Sequence, residues 1–263
     1  MRAQDYSTGI NEVTAEYLGH VLHLKLNRPE RKNALSLAMY QALADAINWA
    51  NREPQVRVVV LSSTSDTFCA GNDLADFMNN PTISSAHPSV QFIDAVRLSQ
   101  TPMVVKATGH VVGIGATLLM HVDFACVSAD AHIQMPFVNL GLAPENASSL
   151  YLAQIIGRQR ANRLLLLGEP ISGTQAAEWG LITHAAPPDE LDEYVEKLIQ
   201  RLVNQPPNAV RRAKALLKVS TELAEDAALN AEYAALAEGL ASEECKEAIT
   251  AFYEKRKPDF SRF

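Results

Sequence analysis

The feature that most constrains this chain is a recurrence. Short apolar runs rich in β-branched residues are each followed by a turn and then a helical pattern. Val56 to Leu61, with Val58-Val59-Val60 at its centre, reads as a strand covered on both faces. Met103 to Ala107 and Phe124 to Val127 read the same way, and His132 to Met135 is a shorter strand closed by Pro136. Residues 12–27 alternate around Gly19-His20 and read as two strands joined by a turn. Ser36 reads as the N-cap of a helix over about 37–52, and a further helix follows over about 89–99. Ala116 to His121 reads as an apolar helix, and Asn79 to Pro88 as a mobile surface loop. Strand, turn and helix thus recur through the first 150 residues without an exact repeat, in the manner of stacked ββα units.

The rest of the chain is helical by periodicity. Leu150–Ile156, Arg160–Leu167, Gly173–Trp179, Leu191–Asn204, a segment from Pro206-Pro207 to Val219, Ala227–Leu240 and Glu243–Lys255 all carry apolar positions at helical spacing. The expected organisation is a core over residues 1–200 and a C-terminal helical region over 201–263.

Composition narrows the function. Lys plus Arg number 23 and Asp plus Glu 30, a net charge of −7. Such a chain is a poor nucleic-acid binder, and a phosphate-bearing ligand needs a local basic cluster. The three cysteines, Cys69, Cys126 and Cys245, are too widely spaced to suggest a disulfide framework or zinc site. The histidines form no paired ligand pattern, so no metal is expected. No run approaches a membrane span and the start has no apolar signal core, so the expected location is the cytoplasm.

Two glycine turns stand out. Phe68-Cys69-Ala70-Gly71-Asn72-Asp73-Leu74 follows a buried strand. Gly71 permits a turn that can leave the Ala70 N–H unpaired, and Asp73 is placed to cap the next helix. It also reads as an ordinary strand-to-helix turn. A second glycine-bearing turn runs from Gly109 to Gly115, and Gly113-Ile114-Gly115 opens a helix. The Ile114 N–H there lies at a helix N-terminus that favours negative charge. Gly-x-Gly-x-x-Gly would need glycine at 118, which is leucine, so this is not a dinucleotide fingerprint. Two N–H donors from separate turns can converge on one oxygen as an oxyanion hole.

In these segments the sequence resembles the crotonase family, also called the enoyl-CoA hydratase/isomerase family. Asn27-Arg28-Pro29 through Ser36 is similar to its first loop, Phe68 to Leu74 to its first oxyanion turn, and Gly109 to Asp123 to its second. Pro144-Glu145 falls in its third catalytic segment, and Ile171 to Ile182 and Phe252 to Lys257 are similar to its later elements. The resemblance implies an α/β fold, a crotonase-like spiral of ββα units with a C-terminal α-helical trimerisation region. It implies an acyl-CoA thioester as ligand, no cofactor beyond the coenzyme A of the substrate, and a homotrimer or dimer of trimers. It assigns the oxyanion donors to Ala70 and Ile114. Arg28, Arg31 and Lys32 become candidate phosphate contacts, against the alternative that they are solvated loop charges. Phe68, Gly71, Asn72, Asp73, Leu74, Gly113, Phe137 and Leu140 become candidate substrate contacts.

Hydratases of this family carry two catalytic glutamates, at positions that here hold Thr117 and Phe137. Glu145, in Leu142-Ala143-Pro144-Glu145-Asn146, instead resembles the single catalytic glutamate of peroxisomal-type Δ3,Δ2-enoyl-CoA isomerases. One carboxylate over C2 and C4 of a 3-enoyl-CoA can remove one proton and return another. Apolar neighbours such as Phe137, Leu140 and Leu142 are expected to raise its basicity. Alternatively, Glu145 only complements the dipole of a helix starting near 147. Hydration or another acyl-CoA reaction, and a non-catalytic binding or scaffold role, are the competing functions.

Overall fold

The computed structural model describes residues 6–79 and 84–263. The strands are β1 (Val13–Leu18), β2 (Val21–Leu26), β3 (Val58–Ser63), β4 (Met103–Ala107), β5 (His110–Val112), β6 (Phe124–Ser128), β7 (His132–Gln134), β8 (Ile171–Ser172) and β9 (His184–Ala186). They form a six-stranded sheet in the order β1-β2-β3-β4-β6-β9 and a three-stranded sheet β5-β7-β8. In the larger sheet the β1-β2 pair is antiparallel and β2-β3-β4-β6-β9 run parallel; in the smaller one β5-β7 is parallel and β7-β8 antiparallel. Each successive unit places one strand in each sheet: β4 is followed by β5, and β6 by β7.

The continuous apolar runs follow from burial of both sheet faces. Successive side chains on a strand point to opposite sides. Val59, Leu61, Val105 and Val127 enter the main core with Leu43, Ile47 and Phe92. Val58, Val60, Val104 and Cys126 face the opposite way, onto Leu191, Val195 and Ile199 of α8 (Pro188–Val203).

Helix α1 (Leu37–Arg52) is started by Ser36, whose hydroxyl accepts the Met39 N–H at 3.3 Å. Its buried face carries Met39, Tyr40, Leu43 and Ile47, and burying each such side chain contributes roughly 1.5–3 kcal/mol. It packs on α3 (Pro88–Arg97), with the Tyr40 and Phe92 rings 5.5 Å apart. Between them lies α2 (Leu74–Asn79). Part of the loop expected over 79–88, residues 80–83, falls outside the described residues.

The structure revises several boundaries. The turn expected over 109–115 contains β5, a strand too short to show periodicity. The helix expected over 116–121 is α4 (Ile114–Thr117) running into a 3₁₀ turn, Leu118–Met120. Position 200 lies inside α8 (Pro188–Val203), and the next helix starts at Pro207.

Between β7 and β9 come α5 (Ser148–Ile156), α6 (Arg158–Leu166) and α7 (Gly173–Glu178). The last helices are α9 (Pro207–Lys218), α10 (Glu222–Ala241) and α11 (Glu243–Glu254). They fold back on the core. Lys214 of α9 donates to Asp123 at 2.6 Å and to the Thr101 carbonyl at 3.0 Å, and Asp123 accepts the Met103 N–H at 2.7 Å. Residues of α10 pack with the main core through Leu229, Leu236 and Leu240. Among the described residues no helix is long and apolar enough to cross a membrane, and no cluster of ligating side chains could hold a metal.

Candidate active site

The first turn is held from two sides. Cys69 pairs with β5: its N–H donates to the His110 carbonyl at 3.0 Å, and its carbonyl accepts the Val112 N–H at 2.9 Å. Leu35 pairs with the other side, donating to the Gly71 carbonyl at 2.8 Å and accepting from Asp73 at 2.9 Å. The Ala70 N–H, expected to be free, donates to the Lys32 carbonyl at 3.0 Å. The Gly71 N–H faces the Cys69 sulfur at 3.4 Å. Among the described residues, the Asn72 N–H is the one between Phe68 and Asp73 that has no partner. The N–H expected to be free at Ala70 is therefore bonded, and the unpaired N–H lies two residues on, at Asn72.

The second turn leaves β5 at Gly113, whose N–H donates to the Gln134 carbonyl at 3.0 Å. The next N–H, that of Ile114, is the first of α4 and has no partner among the described residues. Gly71 (φ 99°) and Gly113 (φ 56°) adopt backbone conformations that favour glycine, and they touch. A Cβ on Gly113 would lie 3.5 Å from the Gly71 Cα. Asn72 and Ile114 each follow one of these contacting glycines, so the two free donors stand on adjoining turns.

Glu145 lies beside them. It is 6% exposed. Its Oε2 accepts from Asn72 Nδ2 at 3.4 Å, and its Oε1 is buried without a partner. The Tyr40 hydroxyl donates to Asn72 Oδ1, which turns the amide so that Nδ2 faces the carboxylate. Burial pushes the Glu145 pKa up to about 7; the Asn72 bond opposes this and the charge of Glu232 adds to it. A carboxylate that merely complemented a helix N-terminus would be held down, and the side chain bonded to the α5 terminus is Glu232, not Glu145.

The positions at which a second acid was sought hold buried Thr117 and Phe137. Thr117 Oγ1 accepts from Asn146 Nδ2 at 3.3 Å, steadying the residue next to Glu145. The Phe137 carbonyl accepts the N–H groups of Leu140 and Leu142, both at 2.9 Å, which shapes the approach to Pro144-Glu145. Phe68, expected at the substrate, is 1% exposed and belongs to the core. Cys69 is equally buried, its thiol pushed up to about 12 by that burial, so it is no nucleophile.

The basic loop divides. Arg28 donates to Asp73 Oδ2 at 2.8 Å and to the Ala34 carbonyl at 3.0 Å. It is a clamp between two loops through its Nη1. Burial would raise the Asp73 pKa, but the hydrogen bond and charge of Arg28 outweigh it and lower the pKa. Asp73 also accepts the Ala75 N–H at 3.1 Å as α2 starts above Leu74, the capping role expected of it. Arg31 and Lys32 remain exposed. Lys32 lines a cavity of about 460 Å³ with Pro29, Ser65, Asp66, Thr67, Gly109 and His110.

The sequence profile of the enoyl-CoA hydratase/isomerase family matches residues 16–262. The chain belongs to this family. An enoyl-CoA hydratase/isomerase from Pseudoalteromonas atlantica has a similar solved structure, with a TM-score of 0.91 at 38% identity over 95% of this chain and 100% of that one. The chain is 29% identical over 254 residues to the 2,3-dehydroadipyl-CoA hydratase of Escherichia coli, covering 95% of this chain and 99% of that protein. It is 27% identical over 258 residues to human enoyl-CoA delta isomerase 2, covering 95% of this chain and 65% of that protein. This hydratase/isomerase family member is thus an acyl-CoA enzyme with the crotonase fold, and hydratases and isomerases stand at similar distances from it.

Three contributors to this hydratase/isomerase site escaped the sequence reading. Tyr40 looked like one more apolar position of α1. His121 places Nε2 2.6 Å from the Asn146 carbonyl. Glu232 reaches the Glu145 segment from α10. A signal for the last was available: residues 225, 229, 232, 236 and 240 share one buried face of α10, so two glutamates interrupt an apolar stripe.

Proposed function

We propose that this enzyme shifts the double bond of a 3-enoyl-CoA to the 2-position, with Glu145 as the single acid and base. The observation that carries this reading is one buried carboxylate with an open oxygen, beside two unpaired backbone N–H groups. The ionised Glu145 takes the proton from C2. The negative charge moves onto the thioester oxygen, where the N–H groups of Asn72 and Ile114 receive it. The neutral Glu145 then delivers its proton to C4, the 3,4 double bond becomes a 2,3 double bond, and the carboxylate is restored. Each donor of such a pair is typically worth about 10²–10³ in rate. A base with a pKa near 7 takes and returns a proton at little cost at neutral pH. No cofactor enters these steps; coenzyme A belongs to the substrate, and the exposure of Arg31 and Lys32 supports them as partners for its phosphates.

Hydration is the second reading, favoured by the hydratase among the relatives. It needs a further group to activate water. Both oxygens of Glu232, the neighbouring carboxylate, are already hydrogen-bonded. Trans-3-hexenoyl-CoA incubated with the enzyme and with Glu145→Gln separates the readings. Conversion to the 2-enoyl isomer at unchanged mass, lost in the variant, supports isomerisation. A product heavier by one water contradicts it.

A homotrimer or dimer of trimers in the cytoplasm fits the same reading. Leu216 and Leu217 of α9 and Leu223 of α10 are 74%, 80% and 87% exposed in the single chain, which supports subunit contacts there.

A further inference from the structure

The chain after Glu145 makes an unfavourable turn. Asn146 and Ala147 sit at φ 60° and 52°, in the left-handed region that non-glycine residues seldom enter. Ala147 is also the N-cap of α5 and has no side-chain oxygen to bond the first N–H groups of that helix. Left to itself this segment has little to hold it in the conformation that aims Glu145.

The support comes from α10, about 85 residues away in sequence. Glu232 is 4% exposed. Its Oε2 accepts the Ala147 N–H at 2.6 Å, and its Oε1 accepts the Ser149 N–H at 2.9 Å and the Ser149 hydroxyl at 2.6 Å. The carboxylate thus caps α5 from outside and is fully occupied in doing so. Two turns earlier on the same helix, Glu225 Oε1 lies 3.3 Å from His121 Nδ1, and the other ring nitrogen of His121 contacts the Asn146 carbonyl. One helix therefore grips both sides of the turn.

We propose that Glu232 is a positioning residue for Glu145: through Ala147 and Ser149 it fixes the turn that aims the reacting carboxylate. The inference rests on Glu145 being the reacting base, and it extends that reading by making the site complete only when α10 is docked. Glu145 is also faced by the Asn72 amide, the Tyr40 hydroxyl of α1, the Cys69 thiol of the first turn and the Tyr233 hydroxyl of α10. Among these neighbours Glu232 is the carboxylate, and its negative charge helps Glu145 keep its proton.

The test compares Glu232→Gln and Glu232→Asp with the wild-type enzyme by pH-dependent kinetics. In parallel, the Glu145 carboxyl carbon is titrated by NMR and assigned by its loss in Glu145→Gln, a readout that does not need turnover. Glu232→Gln removes the charge and one acceptor. It is expected to move the Glu145 midpoint downward, and to lower kcat by about tenfold with KM within about twofold. Glu232→Asp keeps the charge and is expected to return the midpoint toward wild type while kcat stays reduced, because the shorter side chain no longer spans both N–H groups. An unchanged midpoint and kcat in Glu232→Gln overturns the proposal. If Glu232→Gln does not fold, wild-type kcat in Glu232→Asp overturns it. Absence of turnover in the wild-type enzyme refutes the isomerase reading instead, and the NMR midpoint then decides the role of Glu232 alone.

Discussion

Asn72 Nδ2 lies 3.4 Å from Glu145 Oε2, at the long end of hydrogen bonding, and leaves Oε1 open. The same residue offers its unpaired backbone N–H to the place where thioester charge would gather. One asparagine thus serves both halves of the proposed chemistry, and its amide is oriented by Tyr40.

Asn72→Ala removes the bond that lowers the Glu145 pKa while keeping the backbone donor. The midpoint of kcat/KM against pH is expected to move upward, with activity at neutral pH down by about tenfold. Tyr40→Phe should move the midpoint the same way by less, since it frees the amide without deleting it. A pH-rate series on both variants checks the order.

Glu145 must be ionised to take the C2 proton. With its pKa raised to about 7 by burial, kcat/KM should climb roughly tenfold per pH unit below neutrality and level off above it. A glutamate at its ordinary value would give a flat profile between about pH 6 and 8.

The same shift has a stability consequence of defined sign. The folded chain holds the Glu145 proton up to about 7, and the unfolded chain releases it near the ordinary 4.5. The stabilisation this group gives is therefore fully present below 4.5 and lost as the pH rises to about 7. Glu145→Gln should match the wild-type stability at about pH 4 and exceed it by up to about 3 kcal/mol at about pH 8, read from denaturant melts at both pH values.

Arg28 and Lys32 should part company under mutation. Arg28→Ala breaks the clamp to Asp73 and should cost about 1–3 kcal/mol of stability. Lys32→Ala should leave the melting temperature unchanged and raise KM several-fold for coenzyme A thioesters, with no effect on thioesters of pantetheine, which lack the nucleotide phosphates. Paired thermal melts and kinetics with both thioester types check this.

Much of the frame was legible because it is local. The Val58-Val59-Val60 run reports two covered sheet faces, and Ser36 reports a helix start. Glu145 stood out because its Pro144-Glu145 segment resembles the catalytic segment of the peroxisomal-type isomerases. The free donor was misplaced by two residues because the bond that occupies the Ala70 N–H comes from Lys32, a partner that local sequence does not disclose. β5 was hidden in a glycine turn because three residues carry no period. Glu232 was passed over among the interleaved acids of α10, since only the docking of that helix on α5 shows which acid is buried.

The most direct test follows a label from C2. Trans-3-hexenoyl-CoA deuterated at C2 is turned over once in ordinary water, and the 2-enoyl product is read by NMR. Transfer by one buried carboxylate carries part of the deuterium to C4, and Glu145→Gln abolishes both the turnover and the transfer. Loss of the whole abstracted deuteron to solvent with full activity, or a product heavier by one water, would contradict single-base isomerisation at Glu145.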